Sequence, residues 1–306
     1  MRGVTRPCLI GLDWGTSSLR AMLIDGVGRV IEENARPWGI TRLPPGGFRA
    51  AYDAVTAPWR AAWPWMPCLG AGMVGSRQGW VEAPYCDVPA GVEALASHLA
   101  TVAEVGLRIV PGIVLAGARS DVMRGEETQV FGALGGADSR CVVLPGSHSK
   151  WVDVEAGRIV NFRTFMTGEV FAALRDHTIL GAFPAPETPD QASFDRGVHT
   201  AYVSAESLFS LLFSARALVL TGRLSASGAL DYLSGLLIGD ELRSAPKGAR
   251  LLLIGEASLC QRYWRGMRLC GIHATVANPG VTAAGLWRIA RRAGLIPTDR
   301  EASDAP

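Results

Sequence analysis

Short apolar runs separated by polar turns open the chain. Residues 8–12 are apolar, residues 19–24 are apolar apart from Arg20, and the short segment 29–33 follows; the turns between them, at 13–18 and 25–28, contain glycine. Runs of this length bounded by such turns are typical of β-strands. The same order returns at 140–144, 150–155 and 158–162, with turns at 145–149 and 156–157. The repeated three-strand meander predicts an internally duplicated architecture.

Segments with apolar residues at helical spacing follow or separate these strands. They predict helices at 126–134, 206–218, 230–242 and 281–293. Two further apolar runs, at 109–115 and 251–254, predict strands. We therefore expect an α/β protein of two lobes, residues 1–136 and 137–306, joined through Gly135 and Gly136.

Composition narrows the classes of protein to which the chain can belong. Its 306 residues are 48% hydrophobic and 19% charged, which predicts a fully folded chain with room for two domains. The formal charge is +2, with no charged run that predicts a nucleic-acid partner. The densest basic cluster, Arg288, Arg291 and Arg292, is predicted to complement the C-terminus of the last helix.

Targeting and cysteine patterns add little to this picture. No window approaches the ~20 consecutive apolar residues of a membrane helix, and the N-terminus lacks the pattern of a signal peptide. We expect a cytoplasmic protein with no membrane partner. Six cysteines without paired or metal-ligand spacing predict neither disulfides nor a zinc site.

The first turn combines a carboxylate with small and hydroxyl residues. Such a turn can aim backbone N–H and hydroxyl donors at an anion, while the carboxylate can hold a hydrated Mg²⁺ ion. A hairpin capped by its own polar side chains is the alternative. The candidate phosphate-binding residues here are Gly15, Thr16, Ser17, Ser18 and Arg20, and Asp13 is the candidate metal ligand.

The second meander carries a turn of similar chemistry at the matching place. Two such turns can hold the phosphates of one nucleotide from both sides, so the pair is more specific than either turn alone. A lysine exposed at a strand edge and a hydrogen-bonded turn histidine are the alternatives for its two cations. The candidate residues are Gly146, Ser147, His148 and Lys150.

This arrangement resembles the actin, hexokinase and Hsp70 superfamily, in which two ribonuclease-H-like lobes each give one phosphate hairpin. The segment at 253–258 resembles the adenosine-binding segment of that superfamily, and 283–285 resembles the small-residue helix that follows it. The resemblance implies a duplicated α/β fold with an interlobe cleft, and ATP as the nucleotide. It implies adenosine contacts from Gly255, Glu256, Ala257 and Ser258.

Longer strings resemble the 2-dehydro-3-deoxygalactonokinase family. They include DWG at 13–15, AGMVGS at 71–76, VMRGEETQ at 122–129, MTGE at 166–169 and LSGLLIG at 233–239. The resemblance implies that MgATP phosphorylates the terminal, C6 hydroxyl of 2-dehydro-3-deoxy-D-galactonate in galactonate catabolism, giving the 6-phosphate and ADP. Arg77 and Gln78 lie where we expect the family to vary, so the reaction type is implied more firmly than the substrate.

The resemblance also implies roles for individual side chains. A carboxylate should accept the proton of the attacking hydroxyl, and Glu126 or Glu127 lies in the matching place after Gly125. We prefer Glu126 and keep Asp121 as the next candidate. Compensation of the helix dipole is the alternative role for both glutamates.

The substrate carries a carboxylate next to a ketone, which calls for a fork-shaped cation. Arg124 and Arg163 are the first candidates and Arg77 the third, with a structural salt bridge as the alternative for each of the first two. Gly75, Ser76 and Trp80 complete the predicted substrate site, although core packing is the alternative for Trp80.

Two rival functions stay open at this point. One is a kinase of the same fold that acts on another sugar or sugar acid. The other is a nucleotide-gated binding protein of the actin or Hsp70 kind, for whose extensions 306 residues leave little room. The pattern does not indicate an oligomeric state, so a homo-oligomer also stays open.

Overall fold

The structure is a computed structural model that describes residues 6–184 and 188–297. The strands in those ranges are β1 (Pro7–Trp14), β2 (Leu19–Asp25), β3 (Val30–Arg36), β4 (Cys68–Ala71), β5 (Tyr85–Asp87), β6 (Ala100–Val102), β7 (Leu107–Ile109), β8 (Gly112–Leu115), β9 (Asp121–Met123), β10 (Arg140–Leu144), β11 (Ser149–Glu155), β12 (Arg158–Phe165), β13 (Arg250–Leu253) and β14 (His273–Val276). The helices are α1 (Gly47–Ala62), α2 (Val92–Ser97), α3 (Glu126–Ala133), α4 (Thr167–His177), α5 (Gln191–Val203), α6 (Leu208–Leu212), α7 (Ser214–Leu220), α8 (Ala229–Leu242), α9 (Ala257–Leu269) and α10 (Val281–Arg292).

The first sheet contains the first predicted meander. Its strand order is β3-β2-β1-β4-β7-β6, with β1, β2 and β3 antiparallel and β4 parallel to β1. Parallel neighbours end at the same edge of a sheet. Asp13 of β1 therefore lies beside Ala71 of β4 in the register, and the segments after both strands emerge together.

The second sheet repeats this order with the second meander. Its strands run β12-β11-β10-β13-β14, and β10, β13 and β14 are parallel neighbours. In each sheet the three strands of the meander are neighbours in reverse chain order, and a later strand pairs with the first strand of the meander. β3-β2-β1-β4 therefore corresponds to β12-β11-β10-β13. The predicted duplication is confirmed at the level of strand order.

A third sheet, β5-β8-β9, corrects one predicted element. The strand expected at 109–115 is wrong, because the chain leaves the first sheet after Ile109 and joins the third sheet at Gly112. Pro111 lies between the two strands and has no N–H to continue a ladder of hydrogen bonds.

The helices predicted at 126–134, 230–242 and 281–293 are confirmed as α3, α8 and α10. The helix predicted at 206–218 is instead two short helices, α6 and α7, which meet at Phe213. α1 was not predicted, although Tyr52, Val55 and Trp59 form a buried face at helical spacing.

Two glycines let α3 and α10 approach closely. A Cβ atom on Gly132 would lie 1.8 Å from the carbonyl oxygen of Val281, and one on Gly285 would lie 1.9 Å from that of Thr128. No side chain fits at either position, so both must remain glycine for this packing. α10 thereby fixes α3, which begins with Glu126 and Glu127.

The chain divides into two compact units. The described part of the first comprises residues 6–139, 153–162 and 278–297, and that of the second comprises residues 140–152, 163–184 and 188–277. The first unit therefore includes α10, whereas the predicted lobe 1–136 does not. The division at residue 136 into functional lobes stays a prediction. In the described ranges, no helix is long and apolar enough to cross a membrane.

Candidate functional site

The turn between β1 and β2 holds Asp13 at its first edge. Arg20 Nη2 donates to Asp13 Oδ2 over 2.9 Å, and the N–H of Gly15 donates to the carbonyl oxygen of Ser18 over 3.0 Å, which closes the turn. Asp13 is half-buried, and the hydroxyl residues at 16–18 are exposed. A carboxylate and several donors thus reach the surface of the first unit together.

Three segments of the first unit meet beside this turn. A Cβ on Gly72 would lie 2.8 Å from the carbonyl oxygen of Trp14, and one on Gly125 would lie 3.1 Å from the Cα of Gly72. The φ angle of Gly125 is 109°, a conformation that side chains other than glycine rarely adopt. The end of β1, the segment after β4 and the start of α3 are therefore in backbone contact.

The start of α3 gives its two glutamates different surroundings. Glu127 is fully buried, where its Oε2 accepts from the N–H of Gly125 over 2.7 Å and its Oε1 accepts from Thr128 Oγ1 over 3.0 Å. Burial, and next the nearby charge of Glu126, raise the pKa of Glu127 to about 7. Glu126 is half-buried, and its Oε2 accepts from the N–H of Arg124 over 2.9 Å.

Arg124 and Ser76 are buried with polar atoms that are not hydrogen-bonded. The guanidinium of Arg124 lies 4.3 Å over the ring of Tyr85, and its Nη2 donates to the carbonyl oxygen of Ala83 over 2.8 Å. Arg124 Nε and Nη1 and the hydroxyl of Ser76 have no hydrogen-bond partner in the described part of the chain. Unsatisfied buried donors cost about 1–3 kcal/mol each, more for charged groups, so they call for an explanation.

The other predicted substrate residues of the first unit lie in two kinds of setting. Arg77 is exposed. Trp80 lies in an aromatic cluster, with ring centroids 6.0 Å from Trp14 and 5.7 Å from Tyr52, and its Nε1 donates to Glu104. These contacts explain Trp80 as a packing residue, while its role toward a substrate stays a prediction.

In the second unit, the turn between β10 and β11 is held by side-chain hydrogen bonds. Lys150 is only 6% exposed, and its Nζ donates to Thr164 Oγ1 over 2.7 Å. His148 Nε2 is hydrogen-bonded to Glu169 Oε2. The N–H of Glu169 donates to the carbonyl oxygen of Ser147 over 3.0 Å, so the start of α4 packs against this turn.

Glu241 of α8 is a functional candidate that the sequence analysis did not identify. Its Oε1 accepts from Ser149 Oγ and Trp151 Nε1, each over 2.7 Å, and its Oε2 accepts from Tyr263 Oη over 2.6 Å and from Thr167 Oγ1. Burial raises the pKa of Glu241, although these four hydrogen bonds oppose the shift. One carboxylate therefore connects β11, α4, α8 and α9.

The sequence contained one indication that Glu241 is functional: it is an acidic residue within the otherwise largely apolar helix α8. Of the twelve buried residues of α8, only Asp231 and Glu241 carry a charge. Charged residues are rarely buried without partners. Which donors meet the carboxylate depends on contacts separated by up to 92 positions in the chain, which the pattern of a single helix does not contain.

The predicted adenosine segment lies beside the second turn. It follows β13, the parallel neighbour of β10, and a Cβ on Gly255 would lie 3.4 Å from the carbonyl oxygen of Pro145. Glu256 caps α9 by accepting from the N–H groups of Ser258 and Leu259, each over 3.0 Å, and hydrogen bonds from Ser258 hold its pKa below the usual range. Residues 255–258 are exposed.

Arg163 also belongs to the second unit. It is half-buried, and its Nη2 donates to the carbonyl oxygen of Ser244 over 3.2 Å. In the described ranges, no three His, Cys, Asp or Glu side chains come together as a metal-binding group. A Mg²⁺ ion that arrives with a nucleotide keeps several waters and needs only one or two protein carboxylates, so Asp13 has suitable donor chemistry for it.

The comparisons with known proteins agree on one family. A sequence profile described as 2-keto-3-deoxy-galactonokinase matches residues 13–289. The 2-dehydro-3-deoxygalactonokinase of Escherichia coli K12 is 35% identical over 287 residues, which cover 92% of this chain and 97% of that protein.

Solved structures support the same grouping. A crystal structure from Sinorhizobium meliloti described as a 2-dehydro-3-deoxygalactonokinase has a TM-score of 0.85 and 34% identity, and the match covers 92% of this chain and 98% of that one. The activator of 2-hydroxyisocaproyl-CoA dehydratase from Clostridium difficile, solved with bound ADPNP, has a TM-score of 0.52 at 10% identity, covering 97% and 98%. The predicted actin/hexokinase-like fold class is confirmed.

Proposed function

This chain belongs to the 2-keto-3-deoxy-galactonokinase family, and from that premise we propose that it uses ATP to phosphorylate the C6 hydroxyl of 2-dehydro-3-deoxy-D-galactonate. The products are the 6-phosphate and ADP. The observation that carries the proposal is the start of α3, where Glu126 follows a buried, incompletely hydrogen-bonded Arg124. A proton acceptor and a carboxylate-binding cation are the two groups that this substrate requires.

We assign the general base to Glu126. It is half-buried, and a base must come within hydrogen-bond reach of the hydroxyl it deprotonates. Glu127 has the better pKa for a base, about 7, but it is fully buried and already holds Gly125 and Thr128. Its role is to fix the first turn of α3 and so to position Glu126.

Arg124 and Ser76 are proposed to bind the carboxylate and the adjacent ketone of the substrate. Arg124 Nε and Nη1 could form a bidentate pair with a carboxylate, which a lysine could not reproduce. Because these atoms are shielded from solvent, substrate binding requires a side-chain movement near Tyr85, which lies over the guanidinium.

Each of the two turns is proposed to bind nucleotide phosphates. Thr16, Ser17 and Ser18 offer exposed donors in the turn that begins at Gly15, and Arg20 would release Asp13 when a hydrated Mg²⁺ arrives with ATP. Gly146, Ser147, His148 and Lys150 provide the second set, and residues 255–258 would contact the adenosine. The metal supplies charge neutralisation of the phosphates. Arg163 and Arg77 stay secondary candidates for the substrate.

The proposed reaction has water as a competing acceptor. Because excluding water protects a phosphoryl group that is being transferred, hydrolysis of ATP without the sugar acid should be far slower than transfer. We propose that the enzyme acts in the cytoplasm.

The experiment that tests the proposed function is identification of the product. The purified chain is incubated with MgATP and 2-dehydro-3-deoxy-D-galactonate, and the product is examined by mass spectrometry and by ³¹P NMR with coupling to the C6 protons. A monophosphate at C6 supports the proposal. Phosphate on another carbon, or no phosphorylated acid at all, contradicts it.

A further inference from the structure

Arg124 is a buried cation, and one carbonyl oxygen is its hydrogen-bond acceptor. Only 9% of the residue is exposed. Nη2 donates to Ala83, whereas Nε and Nη1 have no hydrogen-bond partner in residues 6–184 and 188–297. A buried charge is normally held by an ion pair and by hydrogen bonds that use its remaining protons. The guanidinium therefore needs another source of stabilisation.

The ring of Tyr85 supplies a contact of a different kind. Cζ of Arg124 lies over this ring, 4.3 Å from its centroid. The negative face of an aromatic ring attracts a cation, and the attraction is stronger when the pair is shielded from water. The N–H bonds of a guanidinium lie in its plane, so a ring that covers the face uses none of them. A carboxylate partner would instead occupy the forked donors that a bound acid needs.

The third sheet places Tyr85 at this position. Tyr85 of β5 pairs with Gly112 of β8. β8 in turn pairs with β9, which ends at Met123, directly before Arg124. A Cβ on Gly112 would lie 2.6 Å from Cε1 of Tyr85 and 2.6 Å from the carbonyl oxygen of Met123. The ring thus packs against the backbone of β8, where only glycine leaves room for it.

The edge of the guanidinium meets the segment after β4. A Cβ on Gly75 would lie 3.1 Å from Nη1 of Arg124. The hydroxyl of the next residue, Ser76, is also buried and has no hydrogen-bond partner in the described part of the chain. Donors of two segments are therefore close together and are not hydrogen-bonded there, while the face of the guanidinium is covered by Tyr85.

We propose that Tyr85 is a positioning residue for the substrate: its ring holds the guanidinium of Arg124 in a fixed plane and leaves Nε and Nη1 for the carboxylate of the sugar acid. This inference rests on the proposed function, because it takes Arg124 as the group that binds that carboxylate. The movement that admits the acid uncovers the edge of the guanidinium while the ring stays over its face. The phenol hydroxyl has no part in this effect, so phenylalanine can replace tyrosine and an aliphatic residue cannot.

The kinetic test compares Y85L and Y85F in the full-length protein with MgATP and 2-dehydro-3-deoxy-D-galactonate. Y85L should raise KM for the sugar acid about tenfold, which corresponds to about 1.4 kcal/mol and lies in the range of a shielded cation–π pair. Its kcat and its KM for ATP should stay near the wild-type values, because the contact acts on the carboxylate end of the acid and not on the reacting C6 hydroxyl. Y85F should match the wild type in all three constants.

W65L is the matched control for loss of an aromatic ring. Trp65 is an exposed residue of the same unit, and Cζ of Arg6 lies 5.9 Å from the centroid of its ring. W65L should leave every kinetic constant unchanged, and Y85L should unfold close to the wild-type temperature because Tyr85 is 42% exposed. An unchanged KM in Y85L, an equal rise of KM in Y85F, or a joint fall of kcat and Tm in Y85L overturns the proposal.

A second measurement separates this proposal from the proposed function. The Nε–H resonance of Arg124 is followed in ¹⁵N-labelled protein, assigned with R124K, during titration with pyruvate, which has a carboxylate next to a ketone. We expect a saturable shift in the wild type and in Y85F, and a shift that needs about tenfold more pyruvate in Y85L. If the wild type phosphorylates no sugar acid, the proposed function is wrong, and this titration alone decides the role of Tyr85. The same pyruvate dependence in Y85L and wild type, or no shift in the wild type, overturns that role.

Discussion

In the second unit, the buried carboxylate of Glu241 accepts hydrogen bonds from four side chains. In the first unit, the hydroxyl of Ser76 and two nitrogens of Arg124 are buried without a hydrogen-bond partner in the described part of the chain. The strand orders of the two sheets match, so the difference does not arise from the fold. The buried carboxylate of the second unit is satisfied within the protein, whereas the unsatisfied donors of the first unit agree with the proposed binding of a substrate.

The two turns differ in the same sense. The side chains at 16–18 of the first turn are exposed, and Asp13 forms an ion pair with the exposed Arg20. Ser149 and Lys150 of the second turn are buried and hydrogen-bonded to Glu241 and Thr164. Substitutions in the first unit should therefore change activity with little loss of stability, and substitutions in the second should change stability first.

The largest effect is expected at the start of α3. E126Q should lower kcat by about 10²–10⁴, the usual contribution of a general base, with nucleotide affinity near the wild-type value. E127Q should lower kcat much less, because Glu127 acts through the position of Glu126. Steady-state kinetics and ADP titration check both. Equal and small losses of kcat in both variants would show that neither glutamate is the general base, and Asp121 would be the next candidate.

D13N should retain the fold and lower kcat by on the order of 10²-fold, since it removes a charge that is proposed to organise Mg²⁺ at the transferring phosphoryl group. R20Q is a useful control, because it removes the partner of Asp13 and leaves the carboxylate in place. A D13N variant with normal thermal unfolding and near wild-type turnover at saturating MgATP would show that the first turn is assigned wrongly.

R124K should raise KM for the sugar acid by about tenfold or more, because a lysine keeps the charge but loses the forked pair of donors. KM for ATP should stay near its wild-type value. R77K, at an exposed arginine two positions after Gly75, is the matched control and should have a smaller effect. Parallel increases in both Michaelis constants for R124K would indicate a structural role instead.

E241L should lower the free energy of unfolding by roughly 3 kcal/mol or more, because the buried Ser149, Trp151 and Tyr263 and the half-buried Thr167 lose their acceptor. E241Q should cost only about 1 kcal/mol, since its carbonyl can face Trp151 and Ser149 while its amide donates to the two hydroxyl groups of Thr167 and Tyr263. Urea unfolding measures both, with E155Q as the exposed control. Equally small losses of unfolding free energy in both variants would show that Glu241 does not stabilise the second unit.

The pH dependence of stability should reveal Glu127. Its pKa is raised from 4.5 to about 7 by folding, so the folded state holds the proton more tightly. Stability from this group is therefore fully present below pH 4.5 and is lost as the pH rises toward 7. E127Q, which cannot ionise, should gain up to about 2 kcal/mol relative to wild type between pH 5 and pH 7. An unchanged difference across that range would show that the carboxyl is not perturbed.

Much of the fold follows from local pattern. The two meanders were predicted because strands of five to eight residues are bounded by glycine-containing turns, and α3, α8 and α10 have clear apolar spacing. The strand at 109–115 was wrong because apolar residues continue across Pro111 although the chain changes sheets there. A pattern of hydrophobicity does not record which sheet a strand joins.

The site was predictable only where neighbours in sequence act together. Gly125, Glu126 and Glu127 lie in one string, whereas the environments that distinguish the two glutamates depend on burial. Glu241 was missed because its four donors lie in β11, α4 and α9. The unpaired atoms of Arg124 likewise become visible only when Ala83 and Tyr85 are placed around it.

The most direct test of the account is a coupled ADP-release assay with 2-dehydro-3-deoxy-D-galactonate, its gluconate epimer and no acceptor, measured on wild type and R124K. We predict rapid ADP release that requires an acid, a higher kcat/KM for the galactonate-derived acid than for the epimer, and a selective loss of that kcat/KM in R124K. ADP release that is equally fast without an acceptor, or that is indifferent to the sugar acid supplied, would contradict the account.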